Sequence, residues 1–227
     1  MGMRKIEVIG TPLLKFQSAE RIASLQRGHL YANTLKYYRE REQATGDADI
    51  GDEFEAMLHV NNGYLHSPVT GDTIELKDVL IPTGNSEDFV FCLFGINPSI
   101  QSFRFTDEQK RKMLSFGDTA LVIQDSDIFI RRVINAAKLK GFEAHFDAVR
   151  YYDPSVDSGN LIVSLLKGTW NIAYWKRERY AYQQERRFIF APGTGEDHID
   201  LDIGDISDIS SIVPSSAVLS ALVEKQS

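Results

Sequence analysis

Between Arg179 and Phe190 the chain reads RYAYQQERRFIF, which sets two tyrosines, two glutamines, a glutamate and three arginines against an apolar run. If this stretch enters a strand, Gln183 and Glu185 lie two residues apart and share a face. A carboxylate beside an amide, framed by Tyr180 and Tyr182, can hold the hydroxyls of a sugar and stabilise positive charge developing at its anomeric carbon. Lys176, Arg177, Arg179, Arg186 and Arg187 add contacts for the phosphates of a nucleotide or nucleic acid. The same residues also read as an exposed strand edge, with the arginines paired to the acidic tail DHIDLDIGD and Glu185 as an ion-pair node.

Other chemistries leave weaker traces. Asp47, Asp49, Asp52, Glu53 and Glu55 crowd residues 47–55, but Gly51 stands where a calcium loop needs its third ligand. That segment reads as a solvated acidic loop. His29, His59, His66, His145 and His198 show no zinc-ligand spacing, and no metal is expected. Asp72-x-x-Glu75-x-Lys77 resembles the carboxylate and lysine set of a magnesium-dependent nuclease, although TGDTIELKDV also reads as the charged face of a surface hairpin. Cys92, the one cysteine, lies in FVFCLFGI as a buried, inert thiol. The chain carries no GxSxG elbow, no GxGxxG and no GxxxxGK[ST], so serine-hydrolase, Rossmann and P-loop chemistry have no support.

The elements that must position these groups follow from pattern and punctuation. At 227 residues the chain can bury a substantial core, and its net charge of -7 argues against a generally basic nucleic-acid binder. No apolar stretch is long enough to span a bilayer and the amino terminus lacks a signal-peptide core, so a cytoplasmic protein is expected. Short strands are predicted at Ile6–Gly10 and Pro12–Phe16, then a helix capped by Ser18 and closed by Gly28. HLYANTLKYY reads as a strand, and REREQATGDADIGDEFEA as a loop or helix-to-loop segment. Hairpins are predicted within Leu58–Leu80, and FVFCLFGI reads as a strand buried on both faces. Helices capped by Thr106 and Asp125 precede and follow the strand TALVIQ, and EAHFDAVRYYD alternates as a strand. ERRFIFAP and the tail give further strands, before a short helix near Ala217–Val223. The expectation is one α+β domain over 1–227, with a mixed or antiparallel sheet and several short helices.

Gln183-x-Glu185 resembles the Q/E-x-E motif of ADP-ribosyltransferases. In that family the glutamate holds the nicotinamide ribose of NAD, and the residue two before it serves the acceptor. The family opens with a strand bearing a basic or histidine anchor, then a helix, then a strand with aromatic or hydroxyl residues, an order that LLKFQSAERIASLQRGHLYANTLKYY resembles. The resemblance implies an ADP-ribosyltransferase-like fold, with Glu185 and Gln183 as catalytic residues. It also implies Lys15 as the anchor for NAD phosphate or ribose, Tyr31, Thr34 or Tyr37 near the nicotinamide, and Arg187 as a further cofactor contact. Such a cleavage needs no metal.

Most of the chain also resembles a family of uncharacterised bacterial and phage proteins carried on mobile elements. Leu14-Lys15-Phe16, Leu30–Leu35, Asp52-Glu53-Phe54-Glu55, Val149–Asp153 and Lys176…Glu185-x-Arg187 carry that likeness. Together these imply a protein that binds NAD or a related nucleotide, in the setting of a phage or mobile-element toxin or defence factor. The alternative is a non-catalytic nucleotide- or protein-binding module, and the lesser alternative is the magnesium-dependent nuclease.

Overall fold

FVFCLFGI forms the strand on which the architecture is built, in a computed structural model that describes residues 5–8, 12–46, 51–55, 57–82, 86–97, 102–155, 163, 167 and 169–225. The strands in the first half are β1 (Lys5–Val8), β2 (Leu13–Gln17), β3 (His29–Thr34), β4 (Met57–His66), β5 (Thr73–Pro82), β6 (Phe89–Gly95) and β7 (Ser102–Phe103). Those in the second half are β8 (Thr119–Ile123), β9 (Glu143–Ala148), β10 (Arg150–Tyr152), β11 (Trp175–Arg177), β12 (Glu185–Ala191), β13 (His198–Asp202), β14 (Ser210–Pro214) and β15 (Leu222–Lys225). The α-helices are α1 (Ala19–Gln26), α2 (Leu35–Thr45), α3 (Asp107–Leu114), α4 (Ser126–Leu139) and α5 (Ser215–Leu219). The protein is of the α+β class, with an eight-stranded antiparallel sheet at its centre. Among the described residues no helix is long and apolar enough to cross a membrane.

One edge of β6 pairs with β12 along its whole useful length, from Phe89↔Phe190 to Phe94↔Glu185. Its other edge is shared. Val90 and Phe89 pair with Asn33 and Thr34 of β3, whereas Phe94 and Gly95 pair with Leu14 and Leu13 of β2. Between these two contacts β2 and β3 diverge, and the sheet forks opposite Phe91, Cys92 and Leu93. Helix α1 connects the prongs and plugs one side of the fork with Ile22 and Leu25.

An uninterrupted apolar strand suits this position because both faces of the sheet are covered. Phe89, Phe91 and Leu93 pack with Leu13, Leu30, Phe188 and Phe190 beneath α1 and α4. On the other face Val90 joins Leu35, Tyr174 and Ile189, and Phe94 joins Leu14, Phe16 and Val122 near α3 and α5. Gly28 turns the chain from α1 into β3 at φ +103°, and a Cβ there would stand 2.6 Å from the Gly204 carbonyl carbon. The position therefore requires glycine for its conformation and for its clearance.

Local sequence signals succeed where a cap is strong. Thr106 makes a full capping box with Gln109, and Asp125 accepts from the Ile128 amide. Ser18 occupies its N-cap position without a side-chain cap bond. The strand expected over HLYANTLKYY stops at Thr34, whose hydroxyl accepts from the Tyr37 amide at 3.1 Å and starts α2 instead. The C-terminal helix lies at Ser215–Leu219 rather than Ala217–Val223, and Leu222–Lys225 is a strand. Most of the apolar stretch Leu161–Leu166 lies outside the described residues. Thr34→Ala should destabilise the protein by about 1 kcal/mol, the usual worth of an N-cap bond. Thr34→Ser should retain most of it, as read from urea denaturation midpoints.

Candidate functional site

Five candidate residues meet in a cleft of about 360 Å³ lined by Lys15 of β2, Tyr37 of α2, Gln183, and Glu185 and Arg187 of β12. Residues 178–183 form a 3₁₀ helix, and Gln184 then takes a left-handed conformation at φ 40°. Gln183 therefore lies outside the strand, and the expected two-residue strand spacing is not what unites it with Glu185. Lys176 unites them: its Nζ donates to Gln183 Oε1 at 2.9 Å and to Glu185 Oε2 at 3.0 Å. The Gln183 amide donates in turn to the Tyr182 hydroxyl at 3.2 Å, which fixes its orientation.

Arg187 holds the other Glu185 oxygen through its Nε and spans both oxygens of Glu55 with its two terminal nitrogens. It also donates to the Ala173 carbonyl. The Glu185 amide donates to the Tyr151 hydroxyl at 2.8 Å. All four charged groups of this network are at least nine-tenths buried. Burial alone would push the Glu185 carboxyl up, but Arg187 and Lys176 outweigh it and hold the group well below the ordinary carboxylate range. Glu55 is raised because burial outweighs its attraction to Arg187 and Lys176. Burial also opposes the charge on Lys176, yet the attraction of Glu185 and Glu55 leaves it raised.

Lys15 stands in the fork. Its Nζ donates to the Cys92 carbonyl at 2.7 Å and lies 4.6 Å from the centre of the Phe91 ring. On its far side a second bay of about 290 Å³ is lined by Arg21, His29, Tyr31 and Asp200, and Lys15, Gln17, Arg21, Asn33 and Tyr38 border both bays. Tyr31 is thus separated from Glu185 by the waist at Lys15, and it stacks on His198 with ring centres 4.7 Å apart. Thr34 lines neither bay; it is buried as the cap that presents Tyr37. The Tyr37 hydroxyl accepts from Arg41, which also borders the first bay.

Two expectations change here. Asp52 and Glu55 belong to no solvated loop: they are 1% and 2% exposed, because Arg177 binds Asp52 as Arg187 binds Glu55. Asp47 and Asp49 lie outside the described residues. Arg177, Arg179 and Arg187 pair with Glu42, Asp52, Glu53, Glu55 and Glu185, so the acidic tail is not their partner. Sequence reasoning set Glu55 in a solvated loop and missed Tyr38 and the bridging role of Lys176. The spaced pattern Lys176…Glu185-x-Arg187 was the available signal for the last. Glu75 and Lys77 pair with each other on the exposed β4–β5 hairpin, outside both bays. Among the described residues no His, Cys, Asp or Glu cluster is arranged to hold a metal ion.

No protein-family model, curated protein or solved structure matches this chain.

The buried network carries its own test. Arg187→Met leaves Glu55 without its principal cation and should cost about 3–5 kcal/mol at neutral pH, as removing one partner of a buried ion pair does. Because the folded-state Glu185 pKa is depressed below its ordinary 4.5, its stabilisation is complete above that value and is lost as pH falls below it. Without Arg187 that depression largely disappears. The stability gap between wild type and Arg187→Met should therefore narrow below about pH 4.5, as followed by urea denaturation across pH.

Proposed function

We propose that the forked cleft binds NAD or a closely related dinucleotide and supports ADP-ribosyltransferase-like cleavage at the nicotinamide ribose. The observation that carries this reading is the convergence of Lys15, Tyr37, Gln183 and Glu185 on one bay, with Tyr31 in a second bay beyond Lys15. Two bays joined at a lysine suit a ligand with two ends and an anionic middle, and together they have the size of small-molecule sites. In this reading Lys15 meets the pyrophosphate or ribose, Tyr37 stacks on the nicotinamide, and Tyr31 faces the other base. Arg187 holds Glu185 in place and does not itself reach the ligand.

Glu185 accepts a ribose hydroxyl and stabilises positive charge at the anomeric carbon as its bond to nicotinamide breaks, with the electron pair leaving on nicotinamide. Gln183, oriented by Lys176 and Tyr182, positions the acceptor that bonds to that carbon and gives up a proton. The biological setting proposed with this reading is that of a phage or mobile-element toxin or defence factor.

A second reading, a binding module that recognises a nucleotide without cleaving it, is favoured by one fact: both Glu185 oxygens are already engaged by Arg187 and Lys176. Nicotinamide release and calorimetric titration with NAD separate the two. Cleavage predicts that Glu185→Gln lowers turnover by on the order of 100-fold or more, as loss of an electrostatic stabiliser does. This variant also disturbs a buried ion pair, so it is assayed at a temperature where circular dichroism shows it folded. Binding that persists without turnover and ignores Glu185→Gln selects the binding module. A wild-type protein that never binds NAD removes the dinucleotide from both.

A further inference from the structure

Charge alternates along the two bays. The first holds Glu55 and Glu185 and the second holds Asp200, whereas the residues that border both are Lys15, Gln17, Arg21, Asn33 and Tyr38. The waist thus carries two cations and no carboxylate. Arg21, in the first turn of α1, makes no hydrogen bond or ion pair among the described residues. Its charge reaches both sides of the waist: it adds to the burial that lowers the Lys15 ammonium, and it opposes the burial and the Asp200 charge that raise the Tyr31 hydroxyl. Asp200 of β13 pairs in register with Tyr31 of β3, so the two side chains project from one face of the sheet. The Asp200 carboxylate accepts no hydrogen bond among the described residues, and its nearest cationic group is His198, with Nε2 3.6 Å from Oδ2. Arg21 and Asp200 are therefore opposite charges on one bay that do not pair with each other. A carboxylate with open lone pairs suits hydroxyls, and a guanidinium beside an ammonium suits phosphate oxygens.

We propose that Arg21 and Asp200 form a distal phosphoribosyl subsite, in which Arg21 joins Lys15 on the pyrophosphate and Asp200 accepts from the two hydroxyls of the far ribose. This rests on the dinucleotide reading and defines its distal half as a ribonucleoside with an unmodified diol. Glu185 holds the near ribose in that reading, so carboxylates meet both diols of the ligand and cations meet its middle. A phosphate on the far 2′-hydroxyl would replace a donor with an anion facing Asp200, which makes NADP a poorer ligand than NAD.

Calorimetric titration of the full-length protein with ADP-ribose tests the subsite apart from cleavage, because this ligand has both riboses and the pyrophosphate but no nicotinamide. Arg21→Gln should weaken ADP-ribose about tenfold, the usual worth of a hydrogen bond between charged groups, and should flatten the fall of affinity with added salt. Asp200→Asn should weaken ADP-ribose severalfold and narrow the preference for NAD over NADP. Both residues are exposed, so neither substitution should move the urea midpoint beyond about 0.5 kcal/mol. Unchanged affinity in Arg21→Gln, or weaker binding with the salt dependence intact, overturns the phosphate contact. An unchanged ratio of NAD to NADP affinity in Asp200→Asn overturns the ribose contact. Either result with wild-type NAD binding intact leaves the dinucleotide reading standing. A wild type that binds neither NAD nor ADP-ribose overturns both, and a subsite that responds as expected without nicotinamide release keeps this assignment and loses the cleavage.

Discussion

Arg187 is a guanidinium almost without water, 1% exposed, bound to Glu185, Glu55 and the Ala173 carbonyl. Taking such a group out of solvent costs several kcal/mol, and only a complete set of partners offsets that cost. Those partners come from β12, the turn at 53–55 and the 3₁₀ segment at Thr169–Tyr174, which share no backbone ladder with one another. The charge thus joins segments that hydrophobic contact alone would leave free to shift. Glu185 is placed by this arrangement, and through Lys176 so is Gln183.

Next to it, Arg177 repeats the device with Asp52, Glu53 and Glu42, while its guanidinium lies 4.1 Å from the centre of the Phe54 ring. The two arginines convert an acidic segment into part of the interior. Their joint effect is to pin residues 51–55 against the mouth of the cleft, where Glu55 borders the first bay. A site built in this way is rigid at its floor. Its aromatic rim is more open to solvent: Tyr31, stacked on His198, and Tyr37, edge-on to Tyr38, remain 46% and 38% exposed.

The legible parts of the sequence were those decided within a few residues. Phe89–Gly95 announced a strand covered on both faces because every position is apolar or small. Thr106 and Asp125 announced helix starts because the capping donor lies three residues on. Glu185 and Lys15 were named from chemistry and family likeness, and the structure brings both to one cleft. The misread parts depend on partners that strand periodicity does not reveal. LKYY looked like the continuation of the strand HLYANTLKYY, but the Thr34 hydroxyl begins a helix there. Asp52 and Glu55 looked solvated because nothing nearby neutralises them; their arginines lie 125 and 132 residues away. Gln183 and Glu185 came together by a 3₁₀ turn and a lysine, a route that strand periodicity does not describe.

Helix α1 closes the fork like a strut. Its eight residues fix a span of about 12 Å between the end of β2 and the start of β3. The separation of the prongs is therefore measured out by a stretch of backbone that performs no chemistry. A relative with one helical turn more or less in that segment would keep the same charged floor and meet it with a wider or narrower opening. In this scaffold the length of α1 sets how widely the fork opens, separably from the charged residues at its floor.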